Sequence, residues 1–512
     1  MPIAPIPLAD NSNPGRDFRD GSGRLVNCYV EPRSKEGRWP APVYAVDGLS
    51  TFAELPVQTQ TEDEGLILLE DGTGFLTDED GNEFALEGDP FDGQRQDPDL
   101  GVQKIIADNG YLWVVTGRGV YRVDQGGAAT FIGGIAGSKV VTADVNRVNQ
   151  IGIVSDGRYY VCDTILNTLI DYTDQLLISG PNSVCHYNGY MVVTNSNNIY
   201  QISAVNDATS WSSVDVETAI FRGDLTKRCL TRGGDLLIFG TRSIEFWQDV
   251  GATNGFVFNR VSAIETGIGP PLSAINLDEA VLFIDNDSSV RIIQNYQTQV
   301  ISTHYVSRKI REASDWASIR ATSYERDGHF FYSISCSDFT LTYNVATQLW
   351  HEEKSYGLNR RVINTVEKLD NTYYAGDYAE GKLYTLKREH YSDGAEKPIV
   401  MEVITPPVHD FPNRLRVRSL FIDALFGTAA ASDTDADESD PKVMVWISED
   451  DGENFIFLEE LSLGDINSKY EELRVQGVGT SDQNGFVFKL SSSTPVLRGI
   501  MGMSADITPV RA

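Results

Sequence analysis

One pattern recurs seven times between residues 108 and 387, and it restricts the chain to few architectures. In its first copy, Tyr111-Leu-Trp-Val-Val-Thr116 is followed by a Gly117-Arg118-Gly119 turn and a second run, Val120-Tyr-Arg-Val123. Later copies start near Gln150, Tyr190, Asp235, Ala280, His329 and Thr372. Runs of β-branched and aromatic residues bounded by Gly, Asn and Asp predict strands joined as hairpins. Successive starts lie 39, 40, 45, 45, 49 and 43 residues apart. A four-stranded propeller blade takes about 40–50 residues, so the chain is expected to be all-β, with a β-propeller of six to eight blades, seven being the number of copies. Helical repeats overlap that range, but Ile151-Gly-Ile-Val-Ser-Asp-Gly-Arg-Tyr-Tyr-Val-Cys162 has no helical spacing.

The repeat predicts a propeller over residues 55–390. Residues 1–54 read as a proline-rich arm, because Pro2, Pro5, Pro7, Pro14, Pro32, Pro40 and Pro42 break helices and sit badly in central strands. The strand-like island Leu25-Val-Asn-Cys-Tyr-Val30 favours an arm that docks over one that hangs free. Gly65-Leu-Ile-Leu-Leu69 with the turn Asp71-Gly-Thr-Gly74 is a candidate eighth hairpin, and Asp78-Glu-Asp-Gly-Asn82 reads as an acidic turn. Residues 306–314 are the one candidate for a short helix. Beyond residue 390 the period stops. Residues 391–512 are expected to form a sandwich-like β-domain with strands near 399–404, 415–426, 443–447, 454–458, 473–475 and 486–490, joined with the arm into a platform. The small, acidic, aromatic-free segment 427–440 predicts a mobile loop. Its Asp433, Asp435 and Asp437 alternate as in a calcium loop, but Glu438 replaces the required Gly and Met444 the closing Glu, which excludes an EF-hand.

Charge narrows the function. Lys and Arg number 42 against 73 Asp and Glu, a net charge of −31. Such a surface repels phosphate, which argues against gripping nucleic acid from outside while still letting it slide past. Cys28, Cys162, Cys185, Cys229 and Cys336 are odd in number and widely spaced, as expected for reduced thiols. The N-terminal segment lacks the basic and apolar regions of a secretion signal, and no stretch approaches the ~20 apolar residues of a membrane span. No His-Glu-x-x-His, phosphate-binding loop or Gly-x-Ser-x-Gly elbow occurs, and His186, His304, His329, His351, His390 and His409 stand singly. No catalytic, cofactor or metal residue is assigned. One motif invites an enzyme reading: Ser448, Asp450, Gly452 and Phe455 match the Asp-box pattern of sialidase-type propellers. Its physics is that of a turn, with Ser and Asp bonding the backbone and Gly at positive φ, so it marks a hairpin.

Four stretches carry a family resemblance. The start reads Met1-Pro-Ile-x-x-x-Pro7-Leu8, then Arg16-Asp17 and Leu25-Val26-Asn27; Asp47-Gly48-Leu49 follows, with Asp47 where the family has Pro. The central block is Gly233-Gly-Asp-Leu-Leu-Ile-Phe-Gly-Thr-Arg-Ser-Ile-Glu-Phe-Trp247, continuing through Gly251-Ala252-Thr253 to Gly267-Ile268; its marker residues are Gly240, Ile244, Glu245, Gly251, Ala252, Thr253 and Gly267. The fourth stretch is Asp451-Gly452-x-Asn454-Phe455 with Phe488-Lys489-Leu490 and Pro495-Val496-x-x-Gly499. In this order the chain resembles the tail hub, or nozzle, proteins of short-tailed bacteriophages, also called packaged-DNA stabilisation or tail accessory proteins. The resemblance implies a structural virion protein assembled in the host cytoplasm: a homo-hexamer beneath the portal and its adaptor. That ring would extend the DNA channel, help retain packaged double-stranded DNA without binding it specifically, and dock tail fibres or spikes. It implies no enzyme activity and no cofactor. Acidic side chains would line the lumen. Two other classes fit the repeat: a carbohydrate-active propeller, sialidase-like or depolymerase, and a monomeric protein-binding propeller.

Overall fold

Both faces of each repeated strand are apolar because each blade is sandwiched between two others. In the computed structural model, described for residues 3–15, 21–31, 39, 41–56, 101–137, 139–173, 176–219, 221–251, 256–277, 280–387, 390–394, 397–428 and 436–510, seven four-stranded antiparallel modules occur. The first five blades are sheets over residues 102–134, 141–171, 181–218, 226–264 and 275–300. Blade six spans 320–352, and blade seven has strands Ile363–Leu369, Thr372–Asp377 and Lys382–Leu386. The first strand of each blade touches the first strand of the next, and that of blade seven touches that of blade one, which closes the ring. The seven hairpin starts read from the sequence are the first residues of the second strands, Tyr111–Thr116, Gln150–Ser155, Tyr190–Asn195, Asp235–Gly240, Ala280–Ile284, His329–Ser335 and Thr372–Asp377.

Strand Asp235–Gly240 shows why the runs do not alternate with polar residues. Leu236 and Ile238 pack with Cys185, Val192 and Tyr200 of blade three, while Leu237 and Phe239 pack with Val281, Phe283 and Ile293 of blade five. A strand buried on both faces reads as a continuous apolar run. Seven such clusters fill the seven gaps between blades. Tight turns connect the strands. Asn109-Gly110 and Asp327-Gly328 take φ of 51° and 76°, and of 47° and 80°, the left-handed pair that a two-residue hairpin demands.

The outermost strand of blade seven comes from far upstream. Leu49–Glu54 pairs antiparallel with Lys382–Leu386, burying Leu49 and Ala53. The sequence reading left this strand in the arm; its partner lies too far along the chain for local pattern to reveal, so the propeller takes in residues before 55. The expected short helix is present as His304–Arg311, capped by the Thr303 hydroxyl, which accepts from the Val306 amide at 3.3 Å.

Two further sheets face each other over a separate core. One orders Cys28–Val30, Val43–Ala45, Gly499–Val510, Arg414–Ala424 and Leu473–Thr480, with Ile3–Ile6 also paired to Gly499–Val510. The other orders Arg24–Val26, Met401–Ile404, Val487–Ser492, Lys442–Ser448 and Ile456–Ser462. Val26 pairs parallel with Glu352 of blade six, so this second sheet continues the blade without a break. Gly499–Val510, at the centre of its sheet, escapes the sequence reading because Gly499, Gly502 and Pro509 dilute its strand signal. Gly502 is required: a Cβ there would collide with the Trp39 indole. Within the segment expected as a mobile loop, Ala436–Ser439 forms a single helical turn and residues 429–435 lie outside the described residues. The candidate eighth hairpin and the acidic turn at 78–82 also lie outside them. Among the described residues, no helix is long and apolar enough to cross a membrane.

Candidate functional site

The Asp-box-like turn joins Lys442–Ser448 to Ile456–Ser462 at the end of the nine-stranded sheet. Asp450 Oδ1 accepts from the Ser448 hydroxyl at 2.7 Å and from the Asn454 amide at 2.8 Å, and Ser448 Oγ accepts from the Gly452 amide at 2.9 Å. These bonds lower the Asp450 carboxyl to a pKa of about 2, the Asn454 amide contributing most. Asp451 and Gly452 have φ of 58° and 86°. Phe455 lies beneath Lys489, whose Nζ is 4.9 Å from the ring centroid and 4.8 Å from that of Trp446. Every polar atom of the motif serves the turn.

That turn opens an acidic edge. Residues 449–472 hold nine acids and one lysine, and Glu449, Asp450, Glu453, Glu459, Glu460, Asp465, Glu471 and Glu472 are exposed. Ile456, Phe457, Ile466 and Tyr470 are exposed among them.

The family-like block shapes the junction of blades four and five. Glu245 is 2% exposed and accepts from the Phe221 amide at 2.7 Å and from Arg260 Nη1 at 3.3 Å. Ile244 lies in the core between the two blades. Gly240 and Gly267 have no room for a side chain: a Cβ would strike the Asp224 carboxylate in one case and the backbone of Thr241 and Arg242 in the other. Gly251 takes φ +60°, while Ala252 and Thr253 lie outside the described residues. The block and the turn lie in different sheets, blade four and the C-terminal sheet.

Where the propeller meets the C-terminal sheets, a charged network is buried. Glu353 accepts from Arg361 Nη1 at 2.5 Å, from Thr342 Oγ1 at 2.9 Å and pairs with His351 Nε2 at 3.1 Å. Arg361 also donates to the Asp47 carbonyl and lies 3.8 Å from Asp393. Burial alone would raise the Glu353 carboxyl, but the Arg361 charge and the His351 and Arg361 hydrogen bonds outweigh it and hold it well below its ordinary range. Asp393, with weaker compensation, is raised by burial. Nearby, Arg24 meets Glu352 through two bonds of 2.7 Å, and Tyr305 donates to the same carboxylate at 2.9 Å. Asn27 rivets the two parts: its Nδ2 donates to the Lys354 and Val400 carbonyls, both at 2.9 Å, and its Oδ1 accepts from the Lys354 amide at 2.7 Å.

The ring axis holds a cavity of about 250 Å³, lined by the innermost strand of every blade. Its charged side chains are Lys104, Asp144, Arg228 and Arg320. Side chains from all seven blades converge on it, so the axis of one propeller is a small lined cavity and not a wide bore. These residues were not singled out from sequence. Each charged one lies in the first strand of its blade, just before a repeated hairpin, and local pattern does not tell which face of that strand meets the axis.

The family described as "Bacteriophage P22 Gp10, beta-propeller" matches residues 91–391, more than half of the chain. No curated protein matches it. Among solved structures, a virginiamycin B lyase from Staphylococcus aureus is similar at 10% identity and a TM-score of 0.42, covering 56% of this chain and 95% of the lyase. The computationally designed Ika8 protein is similar at 11% identity and a TM-score of 0.37, covering 71% of this chain and 99% of the design. At those scores neither carries an argument about activity.

Proposed function

The chain belongs to the family of the bacteriophage P22 Gp10 beta-propeller and is a structural protein of a phage tail; from that premise we propose that it is the tail hub, or nozzle, a scaffold and not a catalyst. Six copies form a ring beneath the portal and its adaptor, extend the DNA channel, help retain the packaged genome and offer faces to fibres or spikes. The observation that carries this reading is the family match across the repeated region, residues 91–391.

Two features support it. The propeller axis is a small cavity lined by side chains of all seven blades, which favours a lumen between copies as the conduit. The acidic edge at 449–472 is a natural wall for that lumen: fixed negative charge repels phosphate, so the duplex slides without sticking. Mixing the purified chain with its adaptor and imaging the product by electron microscopy tests the proposal. Six-fold rings coaxial with the adaptor are expected; single propellers that never assemble on the adaptor refute it.

A further inference from the structure

We propose that the axial cavity is a binding site for a small oxyanion carrying its own O–H, with inorganic phosphate the simplest member, held by Arg228 and Arg320 and donating to the Asn276 carbonyl. The inference goes beyond the tail role and stands or falls separately from it.

The cavity reverses the charge of the molecule around it. In a chain of net charge −31, its lining carries three cations, Lys104, Arg228 and Arg320, against the single carboxylate of Asp144. That carboxylate is already engaged, accepting from the His186 amide at 2.8 Å and the Val145 amide at 2.9 Å. Neither arginine forms a close ion pair with a carboxylate among the described residues, Asp144 acting on Arg228 only at longer range. Arg320, 8% exposed, donates only to neutral acceptors: Gln103 Oε1 at 2.7 Å, the Gln103 carbonyl at 3.3 Å and the Lys139 carbonyl at 2.6 Å. Arg228 donates to the Pro271 carbonyl at 2.9 Å, and its remaining donors have no hydrogen-bond partner among the described residues. Burial lowers Arg320 to a pKa of about 9, with Arg360 and Arg228 adding repulsion, and burial lowers Arg228 as well. A buried and a half-buried cation facing a common space are costly unless an anion joins them.

The third contact sets the chemistry. Asn276, which also lines the cavity, donates its Nδ2 to the Thr231 carbonyl at 3.0 Å, and its buried Oδ1 has no hydrogen-bond partner among the described residues. An acceptor beside two cations matches a ligand that is negative and still bears a proton, which phosphate does near neutral pH and sulfate does not. About 250 Å³ holds such an ion with a few waters and excludes a nucleotide-sized ligand.

Isothermal titration of the full chain with inorganic phosphate, at constant ionic strength in chloride, tests this, with sulfate as a parallel arm. Saturable one-to-one binding is expected, at least tenfold tighter for phosphate than for sulfate. Arg228→Met and Arg320→Met should each weaken phosphate at least tenfold, and Arg228→Lys should retain most of it. Circular dichroism of each variant separates lost binding from lost fold, and density at the axis in phosphate but not chloride gives a readout that needs no variant. Absence of saturable binding to the wild type, or binding that survives both methionine substitutions in folded protein, overturns the site. Equal affinity for sulfate overturns the Asn276 contact.

Discussion

Cutting one side of the Glu353–Arg361 pair should cost far more than cutting both. The two side chains are each 2% exposed and meet at 2.5 Å, so neither charge has water to fall back on. Glu353→Gln keeps the size but replaces the carboxylate by a neutral amide, leaving Arg361 with Asp393 at 3.8 Å as its nearest carboxylate. Arg361→Met strands a carboxylate that still accepts from Thr342 and His351. Each single change should destabilise by about 3–5 kcal/mol, the range for orphaning one member of a buried pair. The double variant Glu353→Met with Arg361→Met removes both desolvation penalties and should fall short of the summed singles by at least about 2 kcal/mol. Urea unfolding followed by intrinsic tryptophan fluorescence and by circular dichroism measures this, coincident transitions licensing a single free energy. The pH profile is a second check. The folded pKa of Glu353 lies below its ordinary 4.5, so its stabilisation is complete above pH 4.5 and is lost as pH falls through the folded value. Glu353→Gln should therefore flatten the loss of stability below pH 4.5. Singles costing under about 1 kcal/mol, or strictly additive effects, would refute the reasoning.

Replacing Asn27 by Ala removes three hydrogen bonds, two of them to Lys354 of the propeller and one to Val400 of the C-terminal sheets, and should destabilise by roughly 2–4 kcal/mol, seen as earlier proteolysis at the junction. All five cysteines are buried, and burial raises the Cys162 thiol to about 12, so a thiol reagent should label none in native protein and all five in urea. Exchanging Glu459, Glu460, Glu471 and Glu472 for Lys should turn a chain that passes through a DNA column at low salt into one that is retained, with a retention that salt reverses.

Legibility followed range. The repeated hairpins were readable because their cause is local: strands apolar on both faces, and turns such as Asn109-Gly110 whose residue types fix the backbone. The Asp-box-like turn was readable for the same reason, since Ser448, Asp450 and Gly452 bond within four residues. Leu49–Glu54 was not, because Ser50 and Thr51 weaken its pattern and its partner lies in blade seven. The axial arginines were invisible as a site, because Arg228 and Arg320 come together only when the ring closes. Asn27 stood in a recognised stretch, but its role depends on the carbonyls of Lys354 and Val400.

The clasp between Leu49–Glu54 and Lys382–Leu386 has a consequence for biosynthesis. The ribosome makes the first piece about 330 residues before its slot exists, a wait of roughly 15 to 65 s at bacterial elongation rates. Through that interval an unsatisfied edge is carried by every nascent chain, free to mispair with its neighbours on the same message. Completion of the wheel is thus deferred until blade seven emerges, and a product cut short before residue 382 has nowhere to lodge its own beginning.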